Sequence, residues 1–324
     1  MNFTPCGQSG NYEGYCLIKS VEKKLTSKGA AYLDMTLSDS SGEINAKFWD
    51  YKEPGVKYEA FDFIKVRGAY NTYNGIDQFR IDRMRHVVES DGVNIEDYVE
   101  SAGESGDVML SYIEKIVAAF EDEELKKLVL GVIDAYRDRI VYWPAALKLH
   151  HAVRGGLLLH TLSIIRLAQG VVRVYPFINK DLLYAGAILH DIAKIDELEV
   201  SKTGIASEYT AKGNLLGHLV MGAMNVDRIG RQLGVSEETL TLVEHMLISH
   251  HGKPEFGAAQ LPMFIEAELL SELDLLDARM YEMTSALENT QQGEFTSRHW
   301  ALDNRRLYNH GRSGEIRVEI GENE

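Results

Sequence analysis

One segment constrains this chain more than any other. Over residues 182–195, LLYAGAILHDIAKI, apolar side chains cover a helical wheel nearly all round. That pattern marks a helix at the centre of a domain rather than one laid on its surface. Yet His190 and Asp191 sit inside it. Burying an imidazole and a carboxylate is costly unless they pair or hold a metal, so the fold must bring partners to them. Side chains of the right type recur in apolar helical surroundings: His160 in GGLLLHTLSII, His218 in LLGHLVMGA, His250-His251 in LISHHG and Asp274 in LLSELDLLDA. A lone histidine of this kind is more often a hydrogen-bonded core residue. The set, with two aspartates in it, reads as a metal site. Imidazole and carboxylate together suit Mn, Fe, Ni, Co or Zn, with Mg admitted if carboxylate and water dominate.

Neighbours on a helix point about 100° apart, so His190 and Asp191 share a metal only if their helix flanks the site. A carboxylate can bridge two ions, the ligands suffice for two, and two would suit phosphodiester hydrolysis. Asp274 is preferred to Asp277, three residues along the same face. His245 lies off the face of His250 by roughly 140° and reads as a supporting residue. His150 and His151 precede the first candidate ligand by about one loop's length and read equally as substrate-side or structural. Lys194, one turn after His190, could offset phosphoryl charge or simply complement a helix C-terminus. Arg154, before Gly155-Gly156, could meet a phosphate, though a surface arginine is the plainer reading.

The rest of the chain reads differently on either side of residue 90. Residues 12–86 alternate polar with β-branched and aromatic residues in five short runs, broken at Ser27-Lys28-Gly29, Asp39-Ser40-Ser41-Gly42 and Tyr73-Asn74-Gly75. The last break suits a type I′ hairpin. Five short strands point to a small antiparallel barrel; an OB-fold leads, and an SH3-like barrel fits the periodicity nearly as well. The acidic, Gly/Ser-bearing stretch GVNIEDYVESAGESGD then suits a linker. Helical periodicity follows over 107–122, 123–140, 157–174, 181–194, 215–232, 236–249 and 264–288, with no strand expected among them. The expected organisation is a barrel over 1–90, a linker and helical connection over 91–140, and an all-α metal-binding domain over 141–324.

Charge divides the same way. Residues 1–90 hold 12 Lys+Arg against 12 Asp+Glu, and the remaining 234 residues hold 22 against 37, so the whole net charge of −15 sits on the helical part. The neutral barrel can therefore carry a local basic face. Single strands are gripped by stacking on aromatics beside a basic groove, and the barrel candidates are Trp49, Tyr73, Lys65, Arg67, Arg83 and Arg85. Arg298 and Arg305, with Trp300 and Arg306 beside them, form a second basic-aromatic cluster. No uninterrupted run approaches ~18 apolar residues, so a membrane span is not expected. The first residues, MNFTPCGQSGNYEG, lack the pattern of a signal peptide. Two cysteines, Cys6 and Cys16, make a disulfide scaffold and a thiolate zinc site unexpected, and a cytoplasmic setting is the natural one.

The ordered series His160, His190-Asp191, His218, His250-His251, Asp274 resembles the HD superfamily of metal-dependent phosphohydrolases. The strings HHAVRGGLLLHTLS, LLYAGAILHDIAK, LLGHLVMGA and LISHHGKPEFG are similar, more narrowly, to the YhaM-type 3′→5′ exoribonucleases, in which a small OB-fold precedes the HD domain. The likeness runs from about Tyr12 to about Tyr308; the tail ending EIRVEIGENE has no counterpart in it. The resemblance implies removal of nucleotides from the 3′ end of single-stranded RNA, with some action on single-stranded DNA, using Mn²⁺ before other ions. It implies one ion on His160, His190, Asp191 and Asp274 and a second on Asp191, His218, His250 and His251. Asp191 and Lys194 would be the catalytic pair, with nucleoside 5′-monophosphates released. A homo-oligomer is left open. Two alternatives stand beside this reading: an HD phosphohydrolase acting on nucleotides or cyclic dinucleotides, and a single-strand-binding protein without catalysis.

Overall fold

The computed structural model of the protein describes residues 1–7, 10–49, 51–52, 55–73, 75–147 and 151–313. Asn74, His150 and the segment EIRVEIGENE lie outside the described residues. The chain divides into two units, one of Met1–Ser101 with Ser201–Ile205, the other of Ala102–Val200 with the chain from Ala206 onward.

In the first unit, strands β1 (Thr4–Pro5), β2 (Tyr12–Leu25), β3 (Ala31–Asp39), β4 (Gly42–Phe48), β5 (Phe63–Tyr73) and β6 (Ile76–His86) form one sheet in the order β1-β2-β3-β4-β6-β5. A β2–β5 pairing closes it. The β4–β6 pair is parallel and the other pairs antiparallel. This is the five-strand Greek-key barrel of an OB-fold, not a simple meander. Period-two alternation builds its interior: Leu33, Met35 and Leu37 of β3 point inward with Ile18, Ile64, Val66 and Phe79, while Tyr32, Asp34 and Thr36 face out. At Gly68, where the β5–β6 register shifts, a Cβ would stand 2.0 Å from the Arg80 carbonyl oxygen, so only glycine permits this approach.

The second unit holds α1 (Gly106–Ala118), α2 (Glu123–Ile140), α3 (Gly156–Val174), α4 (Lys180–Leu189), α5 (Lys194–Glu197), a hairpin of β7 (Leu198–Val200) and β8 (Ala206–Tyr209), α6 (Ala211–Leu233), α7 (Glu237–Ser249) and α8 (Ile265–Glu288). Ser105, Asp122, Asn179, Thr210 and Ser236 cap five of these helices, each side chain accepting from a first-turn backbone N–H. Residues from α1 and α2, such as Met109, Ile113 and Val132, share one core with Leu158, Leu183, Leu247 and Leu270. The stretch expected as a connection thus contributes two walls of the helical body.

Three local differences from expectation matter. The helix expected over 181–194 stops at Leu189 and gives way to a turn before α5. The β7–β8 hairpin lies between the helices expected over 181–194 and 215–232, where no strand is expected, its strands being too short for alternation to register. Helix α3, by contrast, is apolar and long enough to cross a membrane by length and mean hydropathy, although polar residues interrupt it. Eleven of its nineteen residues are buried in the helical core, which accounts for that composition without a bilayer.

Helix α1 begins against the end of α2: a Cβ at Gly106 would lie 1.8 Å from the Val141 carbonyl oxygen. Backbone has to move to admit it. Gly106→Ala is expected to cost about 3 kcal/mol, measured as a lowered urea midpoint at unchanged m; a midpoint equal to wild type would contradict this packing.

Candidate metal centre

The break after Leu189 is what arms the site. With the helix ended, His190 keeps an α-helical backbone but lies in the turn, where its Nδ1 donates to the Ala187 carbonyl oxygen at 2.9 Å. His160 comes from the second turn of α3, and Asp274 and Asp277 from one face of α8. His250 and His251 follow the end of α7. His218 lies one residue past a break in α6, where Gly217 takes φ 71° and ψ 161°. That left-handed residue interrupts the helix and frees the His218 backbone N–H, which donates to Glu197 Oε1 at 3.0 Å.

All five imidazoles are tethered in the same sense. Nδ1 of His160 donates to Asp277 Oδ2 (2.7 Å), that of His250 to the Leu247 carbonyl (2.7 Å) and that of His251 to the Phe256 carbonyl (2.7 Å). Nδ1 of His218 donates to the Glu197 carboxylate (3.0 and 3.1 Å). An acceptor on Nδ1 keeps the proton there and leaves Nε2 as the lone-pair atom, which is how outer partners orient metal-binding histidines.

The Nε2 atoms converge. Nε2 of His160 and His190 lie 3.3 Å apart, and 3.6 and 3.4 Å from Asp191 Oδ2. On the other carboxylate oxygen, Asp191 Oδ1, converge Nε2 of His218 (3.3 Å) and His250 (3.7 Å). Asp274 Oδ1 stands 3.2 Å from His160 Nε2. Asp191 therefore faces the His160–His190 pair with one oxygen and the His218–His250 pair with the other. His218, His250 and His251 form a further group with ligand atoms within 4.8 Å of one another. Asp191 Oδ1 and Nε2 of His218 and His250 are buried without a hydrogen-bond partner among the described residues. Such orphans are costly in a protein interior, and a shared cation satisfies all three. The nitrogen-and-oxygen donor set fits a borderline divalent ion.

Charge is arranged to suit. Burial alone would raise the Asp191 carboxyl, but the Lys194 ammonium and the His190 and His218 imidazoles hold it well below the usual carboxylate range. Burial would lower Lys194, and Asp191 outweighs it, so the ammonium stays charged. Burial pushes His250 and His251 down, favouring the neutral imidazole that ligates. His160 goes the other way despite burial: Asp274 and Asp277 hold a proton on it, with its pKa raised to about 10. A cation has to displace that proton.

Lys194 does not stand on a helical face with His190. Its Nζ donates to Asp191 Oδ2 at 2.6 Å, so it fixes the carboxylate directly. Asp277 takes an outer position, its Oδ2 accepting from His160 and also from His151 Nε2 at 2.9 Å. His245 Nε2 accepts from the Met263 backbone N–H (3.0 Å), away from the cluster. Glu197 escaped the sequence reading, since Asp196, Glu197 and Glu199 look alike in a row and nothing local marks the one beneath His218.

The other candidates fall in separate places. On the barrel, Trp49 is 41% exposed and stacks on Tyr32 with ring centroids 4.5 Å apart, and Tyr73 is 65% exposed at the β5–β6 turn. Lys65, Arg67, Arg83 and Arg85 line one groove. Arg154 packs over the Tyr142 ring, 5.4 Å from its centroid, just before α3. Arg298 donates to the Asn304 carbonyl and Arg305 to the Leu302 carbonyl, so part of each guanidinium folds the C-terminal segment.

Residues 157–279 match the family model described as HD domain. The chain is 37% identical to the 3′-5′ exoribonuclease YhaM of Listeria welshimeri over 92% of this chain and 94% of that one. It is 38% identical to that of a Geobacillus species (91% and 90% covered) and 36% identical to that of Bacillus subtilis (91% and 93%). A solved structure of a replication protein A heterotrimer bound to ssDNA aligns with 26% of this chain and 64% of that one at 13% identity, with a TM-score of 0.22. With relatives this similar along nearly its whole length, the chain belongs to the YhaM family of 3′-5′ exoribonucleases.

Proposed function

We propose that this protein is a metal-dependent 3′→5′ exoribonuclease that hydrolyses phosphodiester bonds at the 3′ end of single-stranded RNA and releases nucleoside 5′-monophosphates. The observation that carries the reading is the convergence of Nδ1-tethered imidazoles on both oxygens of a buried aspartate, within a chain matched over 92% of its length by a relative of that name. His160, His190, Asp191 and Asp274 would hold one divalent ion, and Asp191, His218, His250 and His251 a second. Bound there, the metal supplies Lewis-acid activation of water and of the scissile phosphate. Mn²⁺ is the ion we assign, following the family resemblance; five imidazoles beside two carboxylates disfavour Mg²⁺.

The chain's own residues do the rest. Asp277 and Glu197 hold the rings of His160 and His218, so the donor atoms are in place before substrate arrives. Lys194 fixes Asp191 and keeps a positive charge beside the position where phosphoryl charge grows. The acidic helical body repels a polyanion at long range, which makes a strand-binding barrel useful for capture.

A 5′-labelled single-stranded RNA incubated with the protein and Mn²⁺ should give a ladder shortening from the 3′ end. EDTA should stop it, and added Mn²⁺ should restore it. Hydrolysis confined to mononucleotides or cyclic dinucleotides would establish the nucleotide-phosphohydrolase reading instead. Tight strand binding with no product in Mn²⁺ would leave only a binding protein.

A further inference from the structure

The barrel presents two outward faces of different electrostatic character. On the side formed by β3, β4 and the C-terminal half of β2 the cations are paired where they stand: Lys24 with Asp34 (2.8 Å) and Glu22 (3.1 Å), Lys47 with Asp34 (3.3 Å), and Lys19 with Glu43. The Tyr32–Trp49 stack lies on that side. On the β2–β5–β6 face the register sets Lys65 opposite Arg85 and Arg67 opposite Arg83. Like charges directly opposite each other destabilise a ladder, and here two such pairs stand two residues apart on both strands.

Some of this charge is compensated. Lys65 pairs with Glu13 at 2.8 Å, and Arg85 makes a two-pronged contact with Asp91 at 2.6 and 2.7 Å. Asp82 pairs with Arg80 at 3.3 Å. Among the described residues that leaves one of the two pairs, Arg67 and Arg83, with no carboxylate in ion-pair range, although the β2 register sets Glu13 opposite Arg67. The four cations line a groove of about 500 Å³ together with Glu13 and Asp82, whose carboxylates pair with Lys65 and Arg80, and Phe48 and Met84 add apolar wall.

We infer that this groove binds the phosphodiester backbone of the single strand, with Arg67 and Arg83, the cations without an ion-pair partner among the described residues, as its main contacts; the inference rests on the function proposed above. Two cationic rows, each with side chains about 6.8 Å apart along a strand, suit successive phosphates of an extended chain. Guanidinium forks match phosphate oxygens better than ammonium does. A bound phosphate also removes the repulsion that the bare ladder carries. The β3–β4 face, its cations already paired, offers stacking surface but little unspent charge.

The test uses the full-length protein in EDTA, so that a labelled single-stranded RNA oligonucleotide stays intact, with affinity followed by fluorescence anisotropy across a salt series. Arg67→Ala/Arg83→Ala should bind about tenfold more weakly at 0.15 M salt, with the slope of log K against log salt smaller by about 1.4, two contacts at ~0.7 each. Its melting temperature should equal or exceed that of wild type, because a like-charge pair is gone; a merely structural role would lower it. Arg67→Lys/Arg83→Lys keeps the charges and should keep the slope. If the alanine variant binds with wild-type affinity and slope while Trp49→Ala loses binding, the groove assignment is overturned and the nuclease reading stands. If the wild-type protein neither binds the strand nor shortens it with Mn²⁺, the reading beneath fails and takes the groove with it.

Discussion

Asp191→Asn should lower hydrolysis of the labelled RNA by at least about 10³-fold, some 4 kcal/mol of barrier. The same protein should lose bound metal while still binding the strand in EDTA. The size follows from position: Asp191 faces the His160–His190 pair with Oδ2 and the His218–His250 pair with Oδ1, and also anchors Lys194. Asparagine keeps the shape and removes the charge, so the His218–His250 half loses its anionic donor and the His160–His190 half is left with Asp274 alone. Burial then acts on Lys194 without its counterion and pushes the ammonium toward neutrality. Metal content near wild type together with normal turnover would show that the centre is organised some other way.

Glu197→Ala should weaken metal binding 10–100-fold, the usual consequence of removing a carboxylate behind a metal-bound imidazole. Glu197 is buried, and it accepts both the ring Nδ1–H and the backbone N–H of His218. Without it, two buried donors are orphaned and the ring is free to turn. Glu197→Gln keeps an acceptor oxygen and should fall between wild type and alanine. Titration with Mn²⁺ reads this directly, apart from activity. Saturating metal should restore most of the turnover, because Glu197 acts through His218 as a positioning residue. Equal metal affinity in all three proteins would rule that role out.

Much of the architecture could be read in advance where periodicity is strong. Alternation over 12–86 located the five barrel strands to within a few residues, and three-and-four spacing located α2, α3, α7 and α8 closely. Boundaries set by tertiary packing were less visible. The end of α4 at Leu189 was not marked, because 182–195 is apolar on every side and carries no glycine or proline after Gly186, which lies within the helix. The β7–β8 hairpin was too short to announce itself. The choice between barrel types turned on the parallel β4–β6 pairing, a long-range contact that no local pattern encodes.

The candidate centre divides along the same line. Residue type in an apolar setting singled out His160, His190, Asp191, His218, His250, His251 and Asp274, because burial makes an imidazole or carboxylate expensive unless something answers it. That much is local chemistry, and a sequence displays it. Which oxygen of Asp191 meets which pair of rings, why Asp277 stands behind His160, and that Glu197 alone among its acidic neighbours supports His218 depended on helices far apart in the chain arriving at one point. Composition and spacing state what must be buried; only packed helices, with their fixed separations and side-chain directions, decide what it is buried against.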